Sequence, residues 1–189
     1  MDPRLLFEER TARVELEIGP GRGWFMVERL TVEPAISMIG LEIRRKWATV
    51  VDERLKSRGL GARGRVFAED ARFALPRFHD GSLAVVYLHF PDPWWKKRHE
   101  KRLVFTPALV ADIARVLAPG GELFLQTDVQ ERAESYERMV AADPWLVPWA
   151  GSARVEENPY GALSPRERRA LQDGLPVTRM RWRRAEAPR

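Results

Sequence analysis

The run Glu17-Ile18-Gly19-Pro20-Gly21-Arg22-Gly23 sets three glycines at alternate positions directly behind a carboxylate. Glycine at this spacing lets the backbone turn tightly and lets a ligand approach the main-chain amides that open a following helix. A structural turn is one explanation of such a loop, and a dinucleotide fingerprint is another. Two details argue against the dinucleotide. The spacing is G-x-G-x-G, without the G-x-x-G that draws a helix against a pyrophosphate. Glu17 also stands where it repels a pyrophosphate but attracts an ammonium or sulfonium group. About twenty residues beyond the loop, Glu42 is placed to accept from both ribose hydroxyls of an adenosine, and Asp70 to accept from an adenine amino group. One carboxylate at a strand end is usually solvated or caps a helix; three at successive strand ends beside a glycine loop point to a shared ligand. The ligand that suits them is an adenosine with a cationic amino acid end. S-adenosylmethionine is therefore expected, bound by Glu17, Gly19, Gly21, Gly23, Glu42 and Asp70.

The second unusual run is Phe90-Pro91-Asp92-Pro93-Trp94-Trp95-Lys96-Lys97-Arg98-His99. Its prolines restrict the backbone and hold Asp92 and Trp94 in a stiff loop above the same pocket. A carboxylate, aromatic rings and the basic stretch Lys96 to Arg102 match what a nucleobase and its phosphates require. The bland alternative is a proline-rich turn with a solvated basic face. The net charge of +5 suits a polyanionic partner, although many soluble enzymes are equally basic. From Ser164 onward eight arginines face three acids, so a second basic surface is expected.

These residues need a frame that brings strand ends together. Arg13–Ile18 alternates as a strand, the glycine turn follows, and a helix is expected from Trp24 to about Leu30. A strand at Ser37–Ile43 leads to an amphipathic helix at Arg45–Arg58, with Gly59 as its C-cap. Val66–Ala68 and the apolar Leu83–Phe90 read as buried parallel strands. A helix over Thr106–Ala118 is expected to stop at Pro119-Gly120-Gly121 before a strand at Glu122–Thr127, and a last helix is read at about Val129–Ala142. Strands alternating with helices give βαβ units and a doubly wound α/β fold, a mostly parallel sheet with helices on both faces. Ligands bind such sheets beyond the carboxyl ends of the strands, where the unusual residues fall.

A chain of 189 residues, 44% hydrophobic and 31% charged, is long enough for one α/β domain, expected over residues 1–189. No apolar run reaches the length of a membrane span, and Met1-Asp2-Pro3-Arg4 does not open a secretory signal, so no membrane partner and a cytoplasmic location are expected. Cysteine is absent and three scattered histidines lack ligand spacing, so no metal is expected.

Together these segments resemble the bacterial tRNA (guanine-N7)-methyltransferases. The likeness rests on Glu17 to Gly23, Gly40-Leu41-Glu42-Ile43, Glu69-Asp70-Ala71, Phe90 to Trp94 with its basic continuation, and Pro119-Gly120-Gly121 through Gln126-Thr127-Asp128-Val129, in family order. It implies the Rossmann-like class I methyltransferase fold, S-adenosylmethionine held by Glu17, Glu42, Asp70 and Asp92, and Asp92 at the reaction centre as the catalytic residue. It also implies substrate contacts from Lys96 and Asp128, and transfer of the methyl group to N7 of the variable-loop guanine of tRNA. The family's threonine-x-x-glutamate motif with a nearby arginine matches Ser164-Pro165-Arg166-Glu167 and Arg169, which adds Ser164, Glu167 and Arg169 to the substrate contacts. Here serine replaces threonine, arginine replaces the usual aromatic residue, and a proline intrudes. About a dozen residues precede the first strand where the family has a few dozen. Guanine N7 has an in-plane lone pair and no proton, so it attacks without a general base, and positioning becomes the main task. Asp92 and Asp128 are placed to offset charge appearing on the purine or to accept from its N1–H and 2-amino group, with Glu167 closing the pocket and the basic runs holding phosphates. The tRNA partner leaves monomer and homodimer both open. A class I methyltransferase with another substrate and a non-catalytic RNA-binding protein on the same fold are the alternatives.

Overall fold

Alternation along each strand divides the apolar residues between the two faces of one sheet. The computed structural model describes residues 1–7, 13–91 and 103–188. In β1 (Arg13–Ile18), Val14, Leu16 and Ile18 point to one core, and Glu15 and Glu17 to the other face. β2 (Ile36–Leu41), β3 (Gly64–Phe67), β4 (Leu83–His89) and β5 (Leu117–Thr127) extend the sheet in parallel. One face packs Leu16, Leu88 and Leu125 against α3 (Ala71–Ala74), α4 (Pro107–Val116) and α5 (Gln130–Ala141). The other packs Met38, Tyr87 and Phe124 against α1 (Trp24–Val32) and α2 (Arg45–Ser57). Two fully buried apolar layers, with strands hydrophobic on both sides, are what a parallel sheet needs.

From one edge the parallel strands lie in the order β3-β2-β1-β4-β5, so the order in which strands are added reverses between β1 and β4. That gap is the topological switch point, and it opens at the carboxyl ends where Glu17, Glu42 and Asp70 lie. α2 ends as its sequence suggests. Gly59 takes φ +71°, and the Leu60 amide returns to the Leu55 carbonyl at 2.9 Å.

Several boundaries differ from the sequence reading. The second strand ends at Leu41, and Ile43 is exposed. The third begins two residues early, at Gly64. Pro119-Gly120-Gly121 does not separate helix from strand: Leu117, fully buried, already pairs with Leu83, and the next pair is Val85 with Glu122. Two residues of β4 therefore match a five-residue step of β5, and the excess folds out as a bulge. Gly120 supplies φ +74°, and a Cβ on Gly121 would stand 2.8 Å from the Ala118 carbonyl oxygen.

The last quarter of the chain adds β6 (Leu146–Pro148), β7 (Arg154–Val155), α6 (Pro165–Gln172) and β8 (Thr178–Arg184). β8 runs antiparallel between β5 and β6, and β7 pairs with it too. Only Met180 and Trp182 of this arginine-rich strand are buried. Part of the basic surface expected here is structural: Arg179 Nε donates to Glu167 at 2.7 Å, Arg181 Nε to Glu122 at 2.6 Å, and Arg184 to the Arg115 and Leu117 carbonyls.

Candidate cofactor and base-binding site

The glycine loop turns as its composition requires. Gly19, Gly21 and Gly23 all have positive φ, at +72°, +56° and +71°, where a side chain is strained. The Gly19 amide donates to the Leu41 carbonyl at 2.9 Å and the Gly23 amide to the Pro20 carbonyl at 2.8 Å, which closes the turn at the head of α1. Gly23 has a packing reason as well, since a Cβ there would fall 2.2 Å from Val51 Cγ1.

Glu42, 3% exposed, ties this loop to the end of β2. Its carboxylate accepts from the Gly21 amide at 3.1 Å, from the Arg44 amide at 3.0 Å and from Arg44 Nε at 2.9 Å. Asp70 caps α3 by accepting from the Arg72 amide at 2.9 Å, and Arg72 Nη2 reaches its second oxygen at 2.6 Å. The Arg72 side-chain hydrogen bonds hold the Asp70 carboxyl below the usual aspartate range, against the opposing effect of burial. Both carboxylates open into one cleft of about 450 Å³, lined also by Gly19, Leu41, His89 and Phe90. That volume lies within the range of small-molecule sites.

Glu17 is 2% exposed and lies behind the cleft wall. Its Oε1 pairs with His89 Nδ1 at 2.9 Å, and His89 faces the cleft. Among the described residues, Glu17 Oε2, His89 Nε2 and both amide atoms of Gln126 are buried without a hydrogen-bond partner. Gln126 is paired in register with His89, so these orphaned atoms share one end of the sheet. Buried polar atoms seldom stay unpaired, and a group of them suggests a polar ligand.

Asp128 follows β5. Its carboxylate receives Arg166 Nε and Nη2, each at 2.9 Å, and the Arg166 guanidinium lies 5.1 Å from the centroid of the Phe90 ring. Ser164 caps α6, accepting from the Glu167 amide at 3.2 Å. Glu167 is fully buried, with its oxygens taken by Arg179 and by Asn158 Nδ2 at 2.9 Å. Arg169 is exposed and pairs with Asp173 at 3.4 Å, beside a groove lined by Trp24, Glu28 and Arg168. The structure thus brings Asp128 and the start of α6 together. It puts Glu167 in the interior beneath them and Arg169 on the outer side. Asp92 and Lys96 lie outside the described residues.

A family model described as a putative methyltransferase matches residues 11–180. A tRNA (guanine-N7)-methyltransferase of Myxococcus xanthus is 38% identical over 169 residues, covering 89% of this chain and 82% of the relative. One from Anaeromyxobacter dehalogenans is 40% identical over 183 residues, with 95% and 90% covered. The chain belongs to the tRNA (guanine-N7)-methyltransferase family. Its fold is also that of a geranyl diphosphate C-methyltransferase from Streptomyces coelicolor solved with S-adenosyl-L-homocysteine, at a TM-score of 0.61 and 16% identity, covering 92% of this chain and 70% of that one.

The cofactor of this methyltransferase family fits the residues present. Glu42 and Asp70 face the cleft with lone pairs suited to hydroxyl and amino donors, and the orphaned Glu17 oxygen suits a cationic group. Sequence reasoning missed His89, Gln126, Phe90 and Arg166. Parity carried a signal for the first two, since both stand on the Glu17 face of adjacent strands. It also missed the scaffold beneath them. Glu15, fully buried, accepts from Arg29 Nε and Nη2 at 2.9 Å and from the Tyr87 hydroxyl at 2.7 Å. Arg29 Nη1 continues to the Tyr160 carbonyl at 3.0 Å, on the segment that leads to α6. Burial alone would lower the Arg29 pKa, and the Glu15 hydrogen bonds together with the Tyr87 and Glu15 charge interactions outweigh it and raise the value. Burial, with the Glu15 charge behind it, lifts Tyr87 well above the tyrosine range and keeps its hydroxyl a donor.

Proposed function

We propose that this methyltransferase transfers a methyl group from S-adenosylmethionine to N7 of a guanine in tRNA, the variable-loop guanine. The observation that carries the reading is the cleft at the switch point, in which a glycine loop and two strand-end carboxylates meet beside Phe90, whose ring contacts the Arg166 guanidinium that pairs with Asp128. The cofactor supplies an electrophilic methyl on a positive sulfur. In the transfer the N7–carbon bond forms as the carbon–sulfur bond breaks, and no proton moves. The chain's task is alignment, which is worth several kcal/mol.

Glu42 orients the ribose end, and its hold on the Gly21 amide couples that end to the glycine loop. Asp70 accepts from the adenine amino group, and its lowered pKa keeps it an acceptor throughout the neutral range. Glu17 and His89 set the charge behind the amino acid end. Asp128 accepts from the guanine edge, and Asp92, two positions beyond Phe90 in the chain, serves the reaction centre. Ser164 shapes the α6 turn that faces Asp128, and Glu167 holds that turn in place from within. Lys96 and the cations after it hold phosphates, and Arg169 does so at the outer edge of α6.

Among the described residues no helix is long and apolar enough to cross a membrane. The reading puts one domain, residues 1–189, at work on tRNA in the cytoplasm, as a monomer or homodimer. The test is incubation with labelled S-adenosylmethionine and bulk tRNA, followed by alkali-sensitive chain scission at N7-methylguanosine. Label at a scissile guanosine is expected. Label at another base, or on protein alone, would overturn the substrate assignment.

A further inference from the structure

The Phe90 ring and the Asp128 carboxylate meet on one side chain of the same molecule, the guanidinium of Arg166. Arg166 presents Nε–H and Nη2–H side by side to the two oxygens of Asp128, both at 2.9 Å, and lays its planar guanidinium 5.1 Å from the Phe90 ring centroid. Guanine carries the same recognition elements. Its N1–H and 2-amino N–H are parallel donors on one edge, and its purine face stacks on aromatic rings.

Phe90 carries a second mark of function. It has φ +50°, the one positive-φ residue other than glycine among the described residues, and it stands immediately before a proline. An aromatic residue there is strained, and strain of this kind persists where surrounding structure enforces it. The Phe90 amide is fixed on the Gln126 carbonyl at 2.8 Å, and the residue is only 8% exposed. The same residue lines the cofactor cleft.

We propose that Phe90 and Asp128 are the guanine-binding corner and that Arg166 is a built-in surrogate for the base, which the substrate guanine displaces. The proposal rests on the reading of Asp128 as a guanine contact. With the donor edge on Asp128, N7 lies on the opposite edge of the purine, directed away from Asp128, and remains available to the methyl group. Exchange is feasible because the pair is not sealed: the side chains of Arg166 and Asp128 are 48% and 28% exposed. The backbone need not move, since Ser164 and Pro165 fix the start of α6 and only the Arg166 side chain must swing. The arginine that replaces an aromatic residue of the family motif thereby gains a role: it sets the threshold that a base must exceed to enter.

Guanosine and inosine test this as competitive inhibitors of tRNA methylation. Neither carries a phosphate, so removing a positive charge does not affect them through the RNA backbone, and inosine lacks the 2-amino donor. Arg166→Ala should strengthen guanosine inhibition by up to about fivefold, the worth of an exposed ion pair, and keep the preference for guanosine over inosine. Arg166→Lys, which keeps the charge but not the paired fork, should fall between. Asp128→Ala should weaken guanosine and abolish that preference. Equal or weaker inhibition of Arg166→Ala, including none detectable, overturns the surrogate role. If Asp128→Ala leaves guanosine and inosine as they were, the Asp128 reading itself fails, and the two failures are thus told apart. Thermal unfolding of each variant verifies that the corner is intact.

Discussion

Replacing Glu42 separates a ligand contact from a structural tether, because the proposed reading gives both tasks to the same carboxylate. Glu42→Ala removes the acceptor for the ribose hydroxyls, and charge-assisted hydrogen bonds of that kind are worth about 1.5–3 kcal/mol. The expected loss in cofactor affinity is therefore about ten- to a hundredfold or slightly more. The tether contributes less. The Gly21 and Arg44 amides lose their acceptor at the edge of an open cleft where water replaces it, and the Arg44 side chain is already 61% exposed. Stability should thus change by about 1 kcal/mol or less. Glu42→Gln, with one neutral acceptor left, should fall between wild type and alanine. Arg44→Ala should change affinity less than fivefold or so, because it removes only an exposed partner. Titration calorimetry with S-adenosylmethionine, beside thermal unfolding of the same samples, measures both quantities. Unchanged cofactor affinity in Glu42→Ala refutes the ribose assignment. A large stability loss with proportionate affinity loss would instead make Glu42 chiefly a tether.

Other consequences concern the scaffold. Glu15→Ala strands the buried Arg29 guanidinium, a change that typically costs about 3–5 kcal/mol, so the melting temperature should fall by roughly 6–20 °C; a shift under about 2 °C would mean that water reaches Arg29. Gly23→Ala combines a left-handed backbone with overlap on Val51, and should cost about 2–5 kcal/mol. Gly21→Ala, where no heavy atom lies within 4 Å of the added Cβ, should cost only the backbone term; denaturant midpoints compare the two, and equal losses would contradict the Val51 contact.

The parallel half of the fold was legible because period and punctuation agree there. β1, the glycine turn, α1, α2 and the Gly59 cap follow from apolar alternation and from glycine at positions of positive φ. The positions of the carboxylates were legible for the same reason, since each stands at or shortly beyond the end of a readable strand. The antiparallel end was not. β8 reads Thr-Arg-Met-Arg-Trp-Arg-Arg, where only two residues face the core and the arginines look like a solvated basic run. What makes it a strand is the register with β5, which supplies Glu122 for Arg181, and the packing of α6, which supplies Glu167 for Arg179. Those partners are 59 and 12 residues away, beyond any local pattern. The Glu15–Arg29–Tyr87 network was hidden likewise, because a glutamate inside a strand reads as solvent-facing until the opposite layer is known.

Burial then sorts chemically similar ion pairs by role. Glu15–Arg29 and Glu167–Arg179 join carboxylates of zero exposure to arginines of 7% and 10% exposure. Such pairs cannot be opened without leaving a charge in the interior, so they belong to the scaffold. Glu42–Arg44, Asp70–Arg72 and Asp128–Arg166 are built from the same groups, but their arginines are 61%, 40% and 48% exposed. Water reaches those guanidiniums, and on the proposed reading each carboxylate exchanges its arginine for a ligand donor. The exchangeable pairs all stand at the carboxyl ends of the parallel strands, and the fixed pairs lie within or beneath the sheet. A sheet that gathers several carboxylates at one end must neutralise them in some way. On the proposed reading these exposed arginines yield to an adenosine or a guanine, so binding reads out as a difference between two sets of hydrogen bonds rather than as a sum of new ones.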